Sequence, residues 1–466
     1  MNDIFRPVTG ADLIAWGHRP GRGFGDLLDR ANVARAGGLD LSGIRALLAA
    51  DIPPPPPEPL ALRQPGEAPL HVSIRAENED EARNLAAVLA TMAEVLRTPT
   101  VEAGAVMPDA CPAGPLGTIP VGGVVAARNA IHPGMHSADI CCSVMLTDLG
   151  HADPKAVLDA AQAVTHFGAG GRAEHDRMPV SAELIAQFRA NPFLNGPRLL
   201  QAAQAHMGTQ GDGNHFLFVG RSRASGRVAM VTHHGSRGPG AQLYKAGMEA
   251  AERFRRLLSP ATLKQNAWLP ADSDEGRAYW QALQLIRRWT RANHEVLHQA
   301  VAERLRIEPG ERFWNEHNFV FRRGDLFLHG KGATPGWQGF AEDATGLTLI
   351  PLNMAEPVLV VRGRDAGHAL GFAPHGAGRN FSRSEHRRRM GAVTPAQMLA
   401  AETRGLDVRF HAGAVDASEL PSGYKRAAAV MAQIRDYGLA EVVDCIDPYG
   451  CIMAGEPVWQ TRRLRG

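Results

Sequence analysis

Residues suited to chemistry come in six short motifs, scattered from Asp139 to Arg383 and rich in glycine or other small residues. Several sit where short apolar runs end. F-L-F-V (Phe216–Val219) follows one, V-A-M-V (Val228–Val231) leads into another, and L-F-L-H (Leu326–His329) into a third. Gly-rich tight motifs thus sit where strands end. Polar groups commonly converge at such loops.

The remaining chain supports an α/β alternation. A strand pattern begins at His71 (H-V-S-I), and an Ala/Glu-rich helix is expected near Asp80–Leu96. Further helices are expected at 41–50, 154–164, 182–190, 395–402 and 424–437, with a long helical section over 241–305. V-L-V-V (Val358–Val361) reads as another strand, and residues 103–148 read as loop-rich. Pro53–Pro57 is a stiff proline run that reads as a linker or strap. It separates an N-terminal segment, 1–70, from a catalytic domain, 71–466. No internal repeat is evident.

The 466 residues are 44% hydrophobic and 21% charged, which is ordinary globular composition. A net charge of +2 neither demands nor excludes a nucleic-acid partner. Most basic residues are Arg, yet two of the few lysines, Lys331 and Lys425, fall inside motifs. Five cysteines, two of them adjacent, make a poor disulfide framework and fit a reducing compartment. The N-terminus lacks a signal-peptide pattern and no apolar run spans a bilayer. A cytoplasmic protein with no membrane partner is expected.

In S-A-D-I-C-C, Asp139 and Cys142 place a carboxylate and a thiolate three residues apart, and a thiolate can bridge two metal ions; Cys141 competes as the ligand. G-D-G-N-H-F supplies Asn214 and His215 behind glycines that free backbone amides for an anion. T-H-H-G-S-R-G supplies His233, Ser236 and a forked guanidinium, Arg237. N-E-H-N-F supplies His317 and Asn318, and H-G-K-G-A-T supplies Lys331 in a small-residue loop. In H-G-A-G-R-N-F-S-R, His375 is flanked by glycines and followed by Arg379, Ser382 and Arg383. A neutral imidazole there can attack phosphorus and form a phosphoramidate. The run His386–Arg389 reads as a solvated helix face.

Taken in order, these motifs resemble the RtcB family of RNA ligases. M-P-D is Met107–Asp109, I-x-P…D-x-x-C runs from Ile131 to Cys142, and G-T-x-G-x-G-N-H-F is Gly208–Phe216. H-x-G-S-R-G is His233–Gly238, K-G-A is Lys331–Ala333, and Y-K is Tyr424–Lys425. The resemblance runs from about residue 100 to 455. It implies a mixed α/β fold: one catalytic unit with a β-sheet core flanked by helices. It implies joining of an RNA 2′,3′-cyclic phosphate or 3′-phosphate to a 5′-hydroxyl, with GTP and two Mn²⁺ ions, in RNA repair or tRNA splicing. Cys142 would bridge the metals, with Asp139 and His215 on one and His233 and His317 on the other. His375 would carry GMP. The nucleotide and phosphates would be held by Asn214, Ser236, Arg237, His317, Asn318, Pro351, Asn353, Met354, Gly376, Ala377, Gly378, Arg379 and Ser382.

This sequence departs from the family at Cys111, where a histidine is usual, and at Ser143, where a glycine is usual. It departs again where the family reads guanine. Phe218 stands for an acidic residue, I-P-L-N-M-A (Ile350–Ala355) for I-P-G-S-M-G, and the C-terminal lysine is lost near Met453 and Ala454. The departures predict a divergent paralogue with altered nucleotide preference or a specialised RNA target. Two other functions fit the same residues: a metal-dependent RNA-end phosphoesterase, and an RNA-end-binding protein without turnover.

Overall fold

The computed structural model describes residues 6–21, 23–52 and 58–457; the proline run Pro53–Pro57 lies outside them. The chain divides into two compact units, Met1–Pro59 and Leu60–Gly466. The first holds helices Gly10–Ala15, Phe24–Ala36 and Leu41–Leu48, which bury Val8, Leu13, Ala31, Ile44 and Leu48. Thr9 starts the first helix with a reciprocal capping box to Asp12. No helix among the described residues is long and apolar enough to cross a membrane.

The second unit is built on two sheets with helices outside, the mixed α/β architecture expected. An eight-stranded sheet runs Thr348–Pro351, Val358–Gly363, Ala440–Met453, Phe216–Ser222, Val228–His234, Ser143–Asp148, Arg312–Glu316, with Asp407–Phe410 added parallel to Ala440–Met453. The other pairings are antiparallel. Its ends nearly close, and the Leu349 amide donates to Asn315 Oδ1 at 2.8 Å. A five-stranded sheet runs Leu70–Val72, Val101–Cys111, Val121–Arg128, Leu326–Lys331, Asn318–Arg323. The chain passes from the large sheet to the small one at a single residue, His317.

Two sequence expectations are corrected. Residues 103–148 are mostly strand: Val101–Cys111, Val121–Arg128 and Ser143–Asp148. The glycines there serve close packing as well as turns. A Cβ on Gly104 would stand 2.8 Å from Met92 Cε and 3.0 Å from Leu96 Cδ2, so glycine lets the helix Glu79–Val95 lie on the sheet. The long helical section is two helices, Arg237–Leu258 and Asp274–Leu305. The first ends at Ser259, just before Pro260, which cannot continue the ladder. Ser273 opens the second by accepting from the Gly276 amide at 2.9 Å. The strands Arg312–Glu316, Asn318–Arg323 and Ala440–Met453 extend the pattern beyond the runs the sequence announced.

The helix Asp274–Leu305 supports the large sheet from behind. It buries Tyr279, Leu283, Ile286, Trp289, Leu297 and Val301. It also delivers Arg287 to the fully buried Glu316, next to His317, and to Asp343 at 2.5 Å. Removing one member of such a pair leaves the other charge uncompensated. Arg287→Leu is expected to lower unfolding free energy by about 3–5 kcal/mol. Chemical denaturation checks this, and a loss below about 1 kcal/mol would refute the clamp.

A second buried set, His132, His136 and His329, packs with Trp268 and Tyr279. Burial pushes the His132 and His136 imidazoles down to about 4. The unfolded chain therefore binds more protons than the folded one between the ordinary pKa and that value. Stability is fully present above about pH 6.5 and falls as pH drops toward 4, by on the order of 3 kcal/mol per histidine. Urea titrations across this range should show the decline, and His132→Gln should have a shallower slope than the parent protein.

Candidate active site

Strand register explains how remote residues meet. Neighbouring strands of the large sheet alternate in direction, so the start of one lies beside the end of the next. Phe216 pairs with His233, Val144 with His233, and Ser143 with both His234 and Glu316. His215, Cys142 and His317 each lie one residue beyond a strand end on this same rim, and His233 lies on it.

Their side chains converge. Cys142 Sγ lies 3.1 Å from His233 Nε2 and 3.5 Å from His215 Nε2. His215 Nε2 is 3.1 Å from Asp139 Oδ2, and His233 Nε2 is 3.2 Å from His317 Nε2. The ligand atoms form two groups, Asp139–Cys142–His215 and Cys142–His233–His317, each with its atoms within 4.8 Å of one another. Cys142 belongs to both. The donor set of one shared thiolate, one carboxylate and three imidazoles fits two divalent transition-metal ions. Cys141, the rival ligand, is buried elsewhere with a left-handed backbone.

Without a cation this rim is electrostatically costly. Burial, then the Asp139 charge, pushes the Cys142 thiol well above its usual range. Burial holds His233 down to about 3 and His317 well below the imidazole range, which keeps both rings neutral with lone pairs available. Burial is the largest single influence on Asp139 and opposes its ionisation, but hydrogen bonds with His215 and Cys142 and the electrostatic effect of His215 and His233 together outweigh it and lower the carboxyl. Two outer ring nitrogens are anchored to backbone carbonyls, His215 Nδ1 to Gln210 at 2.7 Å and His233 Nδ1 to Asn214 at 3.1 Å. This fixes the tautomer that turns Nε2 inward. Gly235 packs against the Asp139 carboxylate, and a Cβ there would overlap it.

Behind the rim lies a buried polar layer. His294 contacts Thr232 Oγ1 at 2.6 Å and Ser143 Oγ at 3.0 Å, and stacks on His234 at 3.5 Å. His298 contacts Thr232 and Thr147 hydroxyls, each at 2.7 Å. Ser143 thus ties the strand after Cys142 to the helix Asp274–Leu305.

His375 follows the short strand Phe372–Pro374, and its ring centroid is 4.8 Å from that of His317. Its Nδ1 lies 2.5 Å from Asp109 Oδ2, and its backbone amide donates to the same oxygen at 3.1 Å. Asp109 is fully buried. With Nδ1–H held there, Nε2 carries the free lone pair. Gly332, at φ +61°, lets the ring approach: a Cβ would stand 2.9 Å from His375 Cε1 and Nδ1.

A cavity of about 380 Å³ joins these parts. His375, Asp139, Cys142, His233 and His317 line it, together with Asn214, Asn318, Pro351, Asn353, Met354, Gly376, Ala377, Gly378 and Arg379. Lys331 lines it too, and burial pushes its ammonium down to about 8. Three expected residues point elsewhere. Ser236 Oγ donates to the Ile140 carbonyl at 2.5 Å, and Arg237 to the Gly168 carbonyl at 2.6 Å and to Thr209 at 3.1 Å. Ser382 caps the helix Arg383–Arg389. In that helix Arg387, Arg388 and Arg389 pair with Asp416, Glu456, Glu385 and Asp80.

A family model described as tRNA-splicing ligase RtcB matches residues 171–454, more than half of the chain. The chain belongs to the RtcB family. It is 25% identical over 334 residues to the tRNA-splicing ligase RtcB of Pyrococcus abyssi, covering 63% of this chain and 36% of that protein. It is 27% identical over 301 residues to the Archaeoglobus fulgidus tRNA-splicing ligase RtcB, covering 56% and 62%. With the RNA-splicing ligase RtcB of Mycobacterium bovis it shares 28% identity over 290 residues, covering 55% and 66%. The matched stretches thus span about one third to two thirds of these relatives' lengths. Asp109, Asp139 and Cys142 precede the RtcB stretch yet join the same site.

Sequence reasoning missed the part played by Asp109. It lies 266 residues from His375, and no spacing rule links them. Glu419, which accepts from Arg379, Arg383 and Tyr424, was missed for the same reason. Asp109→Ala should leave divalent-metal binding intact, because Asp109 is in neither ligand group. It should slow chemistry at His375 by about 10–100-fold, the usual cost of losing a residue that orients a reacting imidazole. Metal titration beside single-turnover kinetics of the parent and variant proteins checks both halves.

Proposed function

We propose that this chain is an RNA ligase that joins a 3′-phosphate or 2′,3′-cyclic phosphate end to a 5′-hydroxyl end. The observation that carries the proposal is the His375 ring. It is fixed by Asp109 at Nδ1 and packed 4.8 Å from a ligand ring of a paired metal site. A simple phosphoesterase has little need of a nucleophilic imidazole beside such a site, and neither has an end-binding protein.

Asp139, Cys142 and His215 would hold one ion, and Cys142, His233 and His317 the other; the family resemblance names manganese. When bound, such ions neutralise charge developing on phosphate oxygens and align reacting groups. His375 Nε2 attacks the α-phosphorus of a nucleoside triphosphate, forming an N–P bond as the bond to pyrophosphate breaks. Asp109 stabilises the positive charge on the imidazole through Nδ1–H. An oxygen of the RNA 3′-phosphate then displaces the histidine and takes the nucleotidyl group. The 5′-hydroxyl attacks the activated 3′ phosphorus, forming the phosphodiester and expelling the nucleoside monophosphate. A cyclic phosphate is first opened by water to a 3′-phosphate. Arg379 and Lys331 line the cavity and supply positive charge to these phosphates.

Protein incubated with Mn²⁺ and an α-labelled nucleotide should carry acid-labile label. His375→Ala should lose both label and ligation, each by more than about a thousandfold, as for removal of a nucleophile. A His375→Ala protein that still labels would overturn the nucleophile. Removal of a terminal RNA phosphate without any nucleotide would favour the phosphoesterase.

A further inference from the structure

The cavity has two chemically different ends. One carries the metal ligands, His375, Lys331 and Arg379. The other is walled by Phe216, Phe218, Met354, Val358, Cys451 and Met453. Apart from the half-buried Phe216, these side chains are at most 6% exposed and belong to one apolar cluster, against which Phe216 packs. Phe218 is held in mid-sheet, paired with Val231 on one side and Cys451 on the other.

Among the described residues, only two carboxylates line this cavity, Asp139 and Glu419. Asp139 belongs to a ligand group. Glu419 is engaged by Arg379, by Arg383 at 2.7 Å and by the Tyr424 hydroxyl. Of the three lining side-chain amides, two have an engaged oxygen, and the third, Asn214, directly precedes the ligand-group residue His215. Asn318 Oδ1 accepts from the Gly332 amide at 2.7 Å, and Asn353 Oδ1 from the Ala355 amide at 2.9 Å. The apolar end therefore offers no free side-chain carboxylate to a base edge.

We infer that the base of the nucleotide used by His375 is selected at this apolar end by shape and apolar contact, and that adenine is preferred to guanine. This rests on the nucleotidyl-transfer function proposed above. Guanine brings a ring N–H, an exocyclic amine and a carbonyl oxygen, all requiring partners when buried. Adenine has one donor group, the exocyclic amine, and buries its flat face at lower cost. Unmet donors in a dry site are penalised. A site built to hydrogen-bond such an edge discriminates strongly, whereas an apolar one does so weakly and favours the less polar ligand. Phe218, Met354 and Met453 are the specificity-determining residues.

The test uses the full-length protein, Mn²⁺ and α-labelled ATP or GTP at equal concentration, reading acid-labile label on His375 over time. Initial labelling by ATP should exceed that by GTP about tenfold or more. Phe218→Glu, which places a carboxylate in the wall, should move the ratio toward GTP by a similar factor. Phe218→Gln gives the same direction with less perturbation, should the charged variant fail to fold. Equal labelling, or labelling favouring GTP, in the unaltered protein overturns this inference and leaves the nucleophilic histidine standing. No label from any nucleoside triphosphate overturns both.

Discussion

Everything at the site depends on packing five lone-pair donors into a space smaller than they would tolerate in water. Four imidazole-to-ligand separations are between 3.1 and 3.5 Å, with Cys142 at the centre. Burial denies these donors solvent, so they are left to contact one another. Antiparallel register makes this possible because the backbone ladder places the rim residues before their side chains have any reason to meet. The layer of His294, His298, Thr232 and Ser143 then stops the strands from relaxing apart.

The two halves of the candidate site are supplied by different sheets. Ligands sit on the rim of the eight-stranded sheet. Asp109 and Lys331 come from the five-stranded one, and His375 from a loop beside it. Small residues make their approach possible. Gly332 yields to the His375 ring, and Gly378, at φ +73°, packs on the Asp109 carbonyl where a Cβ would overlap it. The glycines of these motifs are thus contact surfaces as much as turns.

Much of the site was legible in the sequence because its motifs are local. D-x-x-C, G-N-H and H-x-G-S-R-G each carry their own geometry, and their order identifies the family before any pairing is known. What stayed hidden is what pairing alone creates. Asp109 and Glu419 gain meaning from neighbours far away in the chain, and Arg237 spends its guanidinium on Gly168 and Thr209. The strands of residues 101–128 were masked for a related reason. Their glycines and alanines suit close helix packing, and their apolar runs are short, so periodicity gave no signal. The break at Ser259–Pro260 was present in the sequence and was outweighed by helical composition on both sides.

His317 is the one residue between a strand of each sheet, and it also belongs to a group able to hold a metal ion. An ion held there is therefore a cross-link between the two halves of the cleft, closed by coordination bonds and opened by their loss. The stiffness of the cavity becomes a function of occupancy: a loaded centre fixes the distance between the ligand rim and the His375 wall, and an empty one leaves it to side-chain packing. Metal in such a centre is part of the scaffold's mechanics as well as its chemistry.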